Sequence, residues 1–500
     1  MRDREQTPHV ALIVGYGTHG VRASELAALA APGVASGQEP GGGVAVVLPD
    51  GARLCVHLYS DPATAVDEIR QRPLGAILID NRGDDGGAAF GETTAGRVLP
   101  GLLASAGSAR IAPRHAVIVI LPGGDSTALH SYAIGSMQLG GVLIDPPSLI
   151  DILCAAHRVA RPSEPGKIAL CLAGGGIEGL FYEIGVLRAL DAALDGRAVS
   201  EFDIFTGISA GAVIAAFLAN GVRPAEIADA LHGHESRIAP VTRAMLFDPN
   251  LGEVARRIGG AVADMMRGRW LTSPIDSAMK VAPNALFSGD NLREYLSREL
   301  TKPGMTNDFT KLGRRLFVGA TDQDTGAHVA FGTEGFDDVP ISSAVRASAA
   351  MTPYYAPEKI GGHYFVDGIF TRTIDLDVAV EHGARLVICI DPLTPVQVDE
   401  PGFVSGRGGV FTTVQSVKSM IRTRLSEVIG RAEESYPEVT VFVFSPTPRD
   451  LEKMSGTLMR FFYRTETEEM AFDSAQRRIA ADFEWLAADL ARYGFSLKRP

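Results

Sequence analysis

Three short stretches carry residue types that could do chemistry together. The first is Gly207-Ile208-Ser209-Ala210-Gly211. A serine flanked by small residues fits a sharp turn from strand into helix. Such a turn exposes the hydroxyl at a helix N-terminus, where the partial positive charge favours developing negative charge. By itself a glycine-flanked serine can equally be tight packing. The second stretch is Gly174, Gly175 and Gly176, which end the preceding strand-like run. Successive glycines free backbone N–H groups to converge on one point, as a developing oxyanion requires. The same GGGIEG also satisfies the phosphate-cradling pattern G-x-G-x-x-G, a weak signal when it stands alone. The third is Asp367, at a strand end in HYFVDGIF and followed by Gly368. An isolated D-G pair is more simply a turn cap.

The elements that must position these residues alternate in type. KIALCLA (167–173) reads as a buried strand and LFYEIGVLRALDAAL (180–194) as a helix. FDIFTG (202–207) is strand-like and runs into an apolar helix over 208–221. Two strands around a turn are expected in 316–333, with further strands in GGHYFVDGIF (361–370) and ARLVICID (384–391). This alternation predicts a sheet flanked by helices. Beyond Pro392 the spacing predicts a helix over 410–429 with Val410, Val414, Val417, Ile421, Leu425 and Val428 on one stripe, a strand over 438–444, and a charged helix over 466–492.

In this order and spacing GGGIEG, GISAG and VDGI resemble the patatin-like phospholipase family. AVRASAAMTPYYAP (344–357), TDQDTGAHVAF (321–331) and HGARLVICID (382–391) are similar to family segments as well. The resemblance covers about residues 166–395. It implies a lipid or acyl-ester substrate and a Ser209–Asp367 dyad, with Gly174–Gly176 holding the oxyanion and no metal or organic cofactor. Gly207, Gly211 and Gly368 fall on the family's turn positions. Two departures bear on substrate preference more than on reaction class. Glu178 stands where the family usually carries Arg or Lys, and the family's D-G-G is here Asp367-Gly368-Ile369, with Ile369 in place of the last glycine. His382 gives the chain order Ser…Asp…His, but it precedes a glycine late in a helical stretch and reads as a cap.

Residues 1–162 read as a separate α/β domain. Strands are expected at 9–14, 53–59, 75–80, 116–121 and 140–144, with helices at 22–31, 62–72, 127–138 and 148–160. RPSEPGK (161–167) breaks the pattern and marks the boundary. The rhythm resembles flavodoxin-like, doubly wound response-regulator receiver domains, with Asp80 where the phosphoacceptor would lie. The acidic pair expected after the first strand is instead Gly15-Tyr16-Gly17, and the expected lysine is Asp145. A degenerate receiver-like domain, consistent with a homodimer or a regulatory role, is the reading. GYGTHG (15–20) leaves a nucleotide-binding module as the alternative, with Asp50 in a P-D-G turn that suggests a hairpin. In that alternative the hydrolase-like domain is inert and the protein is a binding protein or scaffold. Ser126, in Gly124-Asp125-Ser126-Thr127-Ala128, reads as a helix N-cap.

The net charge of −12 argues against nucleic acid as a partner. The four cysteines lie far apart, with no pair at metal-ligand spacing, so buried reduced thiols are expected. The charged N-terminus and the lack of a run of ~18 apolar residues point to a cytoplasmic chain, with peripheral membrane contact open to it. Two segments could meet lipid. One is the insertion 233–305, where Leu251, Val254, Ile258, Val262 and Met265 fall at helical spacing; it reads as packing over the site or as a lid. The other is the 410–429 helix, with Lys418, Arg422 and Arg424 beside its stripe. Residues 396–500 read as a largely helical extension packed on the catalytic domain.

Overall fold

A computed structural model describes residues 8–15, 23–29, 43–69, 74–84, 89–103, 116–124, 127–135, 137, 139, 141–160, 166–250, 285–395, 401–436, 439–454 and 464–499, together with 252, 256, 259, 260, 263 and 266. The chain divides into two compact units. The first comprises Met1–Gly166, Gly430–Thr440 and Asp482–Gly494, and the second Lys167–Ile429, Val441–Ala481 and Phe495–Pro500.

The first unit contains β1 (His9–Val14), α1 (Ala23–Ala28), β2 (Val44–Val47), β3 (Arg53–Tyr59), α2 (Pro62–Ile69), β4 (Ala76–Asp80), α3 (Thr94–Leu103), β5 (Val117–Leu121), α4 (Thr127–Gly135), β6 (Gly141–Ile144) and α5 (Leu149–Ala160). The sheet order is β2-β3-β1-β4-β5-β6, with β2 antiparallel to β3 and the other pairs parallel. Without β2 this is the doubly wound order 2-1-3-4-5. Ala65, Ile69, Ala95, Val98, Leu99, Leu102 and Ile134 place α2, α3 and α4 on one face. Leu26, Ile152, Leu153 and Ala156 place α1 and α5 on the other.

Two elements exceed the sequence expectation. Asp50 does sit in a hairpin turn, and the arm before it is a sixth strand, β2. α3 carries Pro100, yet buries Ala95, Val98, Leu99 and Leu102 at 3.6-residue spacing. Most of GYGTHG and Ser126 lie outside the described residues.

At the C-terminal edge of this sheet the acidic and amide oxygens are held by neighbouring donors. Asp80 is fully buried, and Arg82 holds both its carboxylate oxygens through Nε at 3.0 Å and Nη2 at 2.9 Å. Asp84 accepts from the Thr94 amide and hydroxyl, each at 2.7 Å, and Asn81 Oδ1 accepts the Ala95 amide at 2.8 Å. The first turn of α3 thus binds the chain's own oxygens where an anion would otherwise sit. Incubation with radiolabelled acetyl phosphate is expected to leave the chain unlabelled. Labelling that disappears in Asp80→Asn would contradict this.

The second unit contains β7 (Lys167–Leu172), α6 (Gly176–Ala193), β8 (Leu194–Asp195), β9 (Ile204–Ile208), α7 (Ala210–Ala219), α8 (Pro224–His232), α9 (Arg243–Leu246), α10 (Asp290–Leu300), β10 (Arg315–Asp322), β11 (His328–Phe331), α11 (Ile341–Ser348), β12 (Glu358–Ile360), β13 (His363–Asp367), α12 (Leu376–Glu381) and β14 (Ala384–Ile390). There follow α13 (Gly409–Ser435), β15 (Thr440–Phe444), α14 (Pro448–Lys453), α15 (Arg464–Ala481), α16 (Phe483–Ala491) and β16 (Ser496–Leu497). Of these, α16 and the end of α13 group with the first unit. The single helix expected over 466–492 is two, interrupted at Asp482. The sheet runs β12-β13-β10-β9-β7-β14-β15, with β11 paired to β10. Strands β10, β9, β7 and β14 are parallel, whereas β13 runs antiparallel to β10. The central strands are buried on both faces, which is why they read as continuous apolar runs.

Candidate functional site

Register brings the three sequence stretches together. Leu172 pairs with Gly207, so β7 and β9 end side by side and the glycine loop opens beside the serine turn. On the other side Ile208 pairs with Gly319, and Ala320 pairs with Asp367. Strand β10 therefore spaces Ser209 and Asp367 across its own width.

Ser209 sits between β9 and α7 at φ 55°, ψ −118°, a conformation that side chains rarely adopt. The surroundings force it. A Cβ at Gly207 would lie 2.5 Å from Ala212 Cα, and one at Gly211 would lie 2.6 Å from the Ala173 carbonyl oxygen. Only glycine lets the helix start this close to two strands. The Ser209 amide donates to Ser348 Oγ at 2.8 Å, and the Ser348 hydroxyl donates to the Gly319 carbonyl at 2.6 Å. One small side chain thereby ties the turn to β10. Ser348 lies in the segment 344–357 that the sequence marked, but nothing in the pattern singled it out.

Asp367 is almost fully buried. It caps the turn behind it, with Oδ1 accepting the Ile369 amide at 3.0 Å, and the Ser209 side chain approaches it. Burial pushes its pKa up to about 7, against the lowering effects of the Ser209 side chain and the Ile369 amide. Behind it, the Thr321 hydroxyl donates to the Asp367 carbonyl at 3.0 Å and continues through Thr371 to His328.

The glycine loop is divided between coil and helix. Gly174 and Gly175 precede α6, and Gly176, at φ 59°, begins it. A Cβ on Gly174 would come within 3.1 Å of Ser209 Cβ. Among the described residues, the N–H groups of Gly174 and Gly175 donate to no protein acceptor. They stand at the positive end of an 18-residue helix.

Glu178 is buried in the first turn of α6, and Lys418 of α13 lies 3.8 Å from it, equally buried. Burial lowers the Lys418 pKa, against the opposing charges of Glu178 and Asp391. Arg422 approaches Asp391 at 3.7 Å, and Arg424 donates to the Phe370 carbonyl at 3.0 Å. Of the three cations, Lys418 is buried, while Arg422 and Arg424 each reach a group of the protein. The stripe is used as expected where described, with Ile421 and Leu425 buried and Val417 packed on Ile208, Ile369 and Leu393. The side chains of Val410 and Val414 lie outside the described residues.

A cleft opens over Ser209 and Asp367. Leu180, Leu231, Leu292, Met351 and Ile421 form much of its wall, together with Tyr295, Tyr354 and Tyr355. The Tyr295 and Tyr355 hydroxyls donate to the carbonyls of Ala239 and Leu246, at 2.7 and 2.6 Å. Among the described lining residues Asp367 and Lys418 are the only acid and base. Val241, Met245, Leu246, Leu292 and Tyr295 come from the 233–305 insertion, so its described parts line the cleft. Leu251, Val254, Ile258, Val262 and Met265 lie outside the described residues. His382 caps α12, its Nδ1 2.7 Å from the Val378 carbonyl and its ring against Phe317.

Residues 170–380 match the family model described as patatin-like phospholipase. That stretch contains both Ser209 and Asp367. These residues form a patatin-like phospholipase domain. Over 111 residues the chain is 32% identical to the cUMP-AMP-activated phospholipase of Escherichia coli, covering 21% of this chain and 34% of that relative's length. Among solved structures, VipD from Legionella pneumophila is 13% identical at a TM-score of 0.31, covering 63% of this chain and 67% of that one. Human GIVD cytosolic phospholipase A2 is 11% identical at a TM-score of 0.32, covering 66% and 62%.

In the patatin-like domain the tie from Ser348 to the serine turn should be costly to remove. Ser348→Ala orphans a buried amide and a buried carbonyl, and should lower stability by about 1–3 kcal/mol in denaturant titrations. An unchanged midpoint would show that the turn does not depend on it.

Proposed function

We propose that the patatin-like domain is a serine lipid-acyl hydrolase. The observation that carries this reading is the approach of Ser209 to a buried Asp367 along the wall of an apolar cleft. Ser209 Oγ attacks the ester carbonyl while Asp367 takes its proton, and the Gly174–Gly176 amides hold the oxyanion. The proton then passes to the departing alcohol, leaving an acyl-serine. Asp367 next draws a proton from water, which attacks the acyl carbonyl and regenerates the serine. The aliphatic wall receives the acyl chain. Lys418 reaches the cleft wall from α13 and sets a cation against Glu178, the acid of the glycine loop. Peripheral contact with lipid fits the exposed Phe370 and Met420. For the first unit we propose a regulatory or dimerising role.

A fluorophosphonate probe tests the class. It should label the wild type and His382→Ala but not Ser209→Ala. Hydrolysis of p-nitrophenyl esters should fall roughly 10³-fold or more in Ser209→Ala and Asp367→Asn. Neither labelling nor turnover in the wild type would end the enzyme reading.

The acidity of Asp367 gives a second test. Below about 7 its carboxyl is protonated and cannot accept the serine proton. kcat/KM should therefore rise about tenfold per pH unit from the acid side and level off above that value. A profile flat from pH 5 to 8 would exclude Asp367 as the base.

A further inference from the structure

In the first unit, His9 at the start of β1 and Cys55 on β3 are partners across a parallel ladder, and His57 follows two residues on. All three project to the face that also carries Ala11, Ile13 and Tyr59, because alternate residues of a strand share a side. Their ligating atoms lie within 4.8 Å of one another. His9 Nδ1 is 2.9 Å from His57 Nε2, and Cys55 Sγ is 3.6 Å from the same nitrogen. The two imidazole rings are stacked, with centroids 5.2 Å apart and planes 15° apart. Cys55 and His57 are buried, and His9 is half-buried.

We infer that His9, Cys55 and His57 form a binding site for a borderline-soft divalent metal ion of the zinc type. Imidazole and thiolate together are the donors such an ion prefers. Tetrahedral zinc bonds of about 2.0–2.1 Å to nitrogen and about 2.3 Å to sulfur separate two nitrogens by about 3.3 Å, and nitrogen from sulfur by about 3.6 Å. The observed separations are within a few tenths of an ångström of these. Two parallel strands fix the donors, so the site is largely built before the ion arrives. Gly43 keeps it open: a Cβ there would lie 2.4 Å from Cys55 Sγ and 2.7 Å from His57 Cε1. On binding, the thiol releases its proton to solvent and the thiolate sulfur bonds the ion. Three donors among the described residues leave the fourth position of a tetrahedral ion to a further ligand.

Cobalt(II) titration of the reduced full-length chain tests this. The wild type should develop the visible bands of four-coordinate cobalt and a near-ultraviolet thiolate-to-cobalt band, both reversed by zinc. Cys55→Ser should lose the near-ultraviolet band, and Ser209→Ala should keep it. In competition with a chromophoric chelator the wild type should take up about one zinc per chain, and each of His9→Phe, Cys55→Ser and His57→Phe should bind at least about tenfold more weakly. Wild-type protein without a thiolate-to-cobalt band overturns the site, whether or not the variants fold. So does equal zinc affinity in the wild type and a folded variant lacking all three donors; in that case the rings and thiol are packing partners only.

Discussion

The backbone of Ser209 occupies a region that costs on the order of 1–3 kcal/mol for a side-chain-bearing residue, so it persists only where its neighbours over-determine it. In this chain they do so from three sides. Gly207 and Gly211 let α7 start almost in contact with β7 and β9, and Ser348 takes up the Ser209 amide. Much of the surrounding architecture follows from keeping that turn in place. The sheet order puts β7 and β10 on either side of β9, so the glycine loop and Asp367 arrive from opposite flanks.

Burial then sets the chemistry available at this point. A carboxyl at the surface would titrate near its usual value, and Asp367 titrates near neutrality because water is excluded from it. The aliphatic and aromatic lining of the cleft lowers the local dielectric and strengthens any charge interaction within it. Lys418 is the counterweight. Its ammonium is buried beside Glu178 and Asp391, so a cation supplied by α13 offsets two acids that the α6 and β14 segments contribute.

Much of this was legible along the chain because the relevant signals are local. The strand-to-helix turns at Gly174 and Ser209 are written in small residues, and the buried parallel strands in continuous apolar runs. The capping role of His382 was readable from the glycine after it. α3 escaped because Pro100 masked a regular apolar spacing. The single helix expected at 466–492 failed because no breaker residue marks the interruption at Asp482.

By itself the sequence determined the order of elements, the turn at Ser209 and the candidate pairing with Asp367, since each depends on residues close together or on motifs in fixed order. Tertiary structure alone decided which distant groups meet. Lys418 reads as one of several cations beside a helix stripe, and only the packing of α13 over the cleft turns it inward. Ser348 is one small residue among many until the α11 end meets β9 and β10. Cys55 lacks a second cysteine at metal-ligand spacing, and the parallel register of β1 and β3 brings His9 to it instead. In each case the deciding quantity is a through-space distance fixed by sheet register or helix packing, which spacing along the chain does not encode.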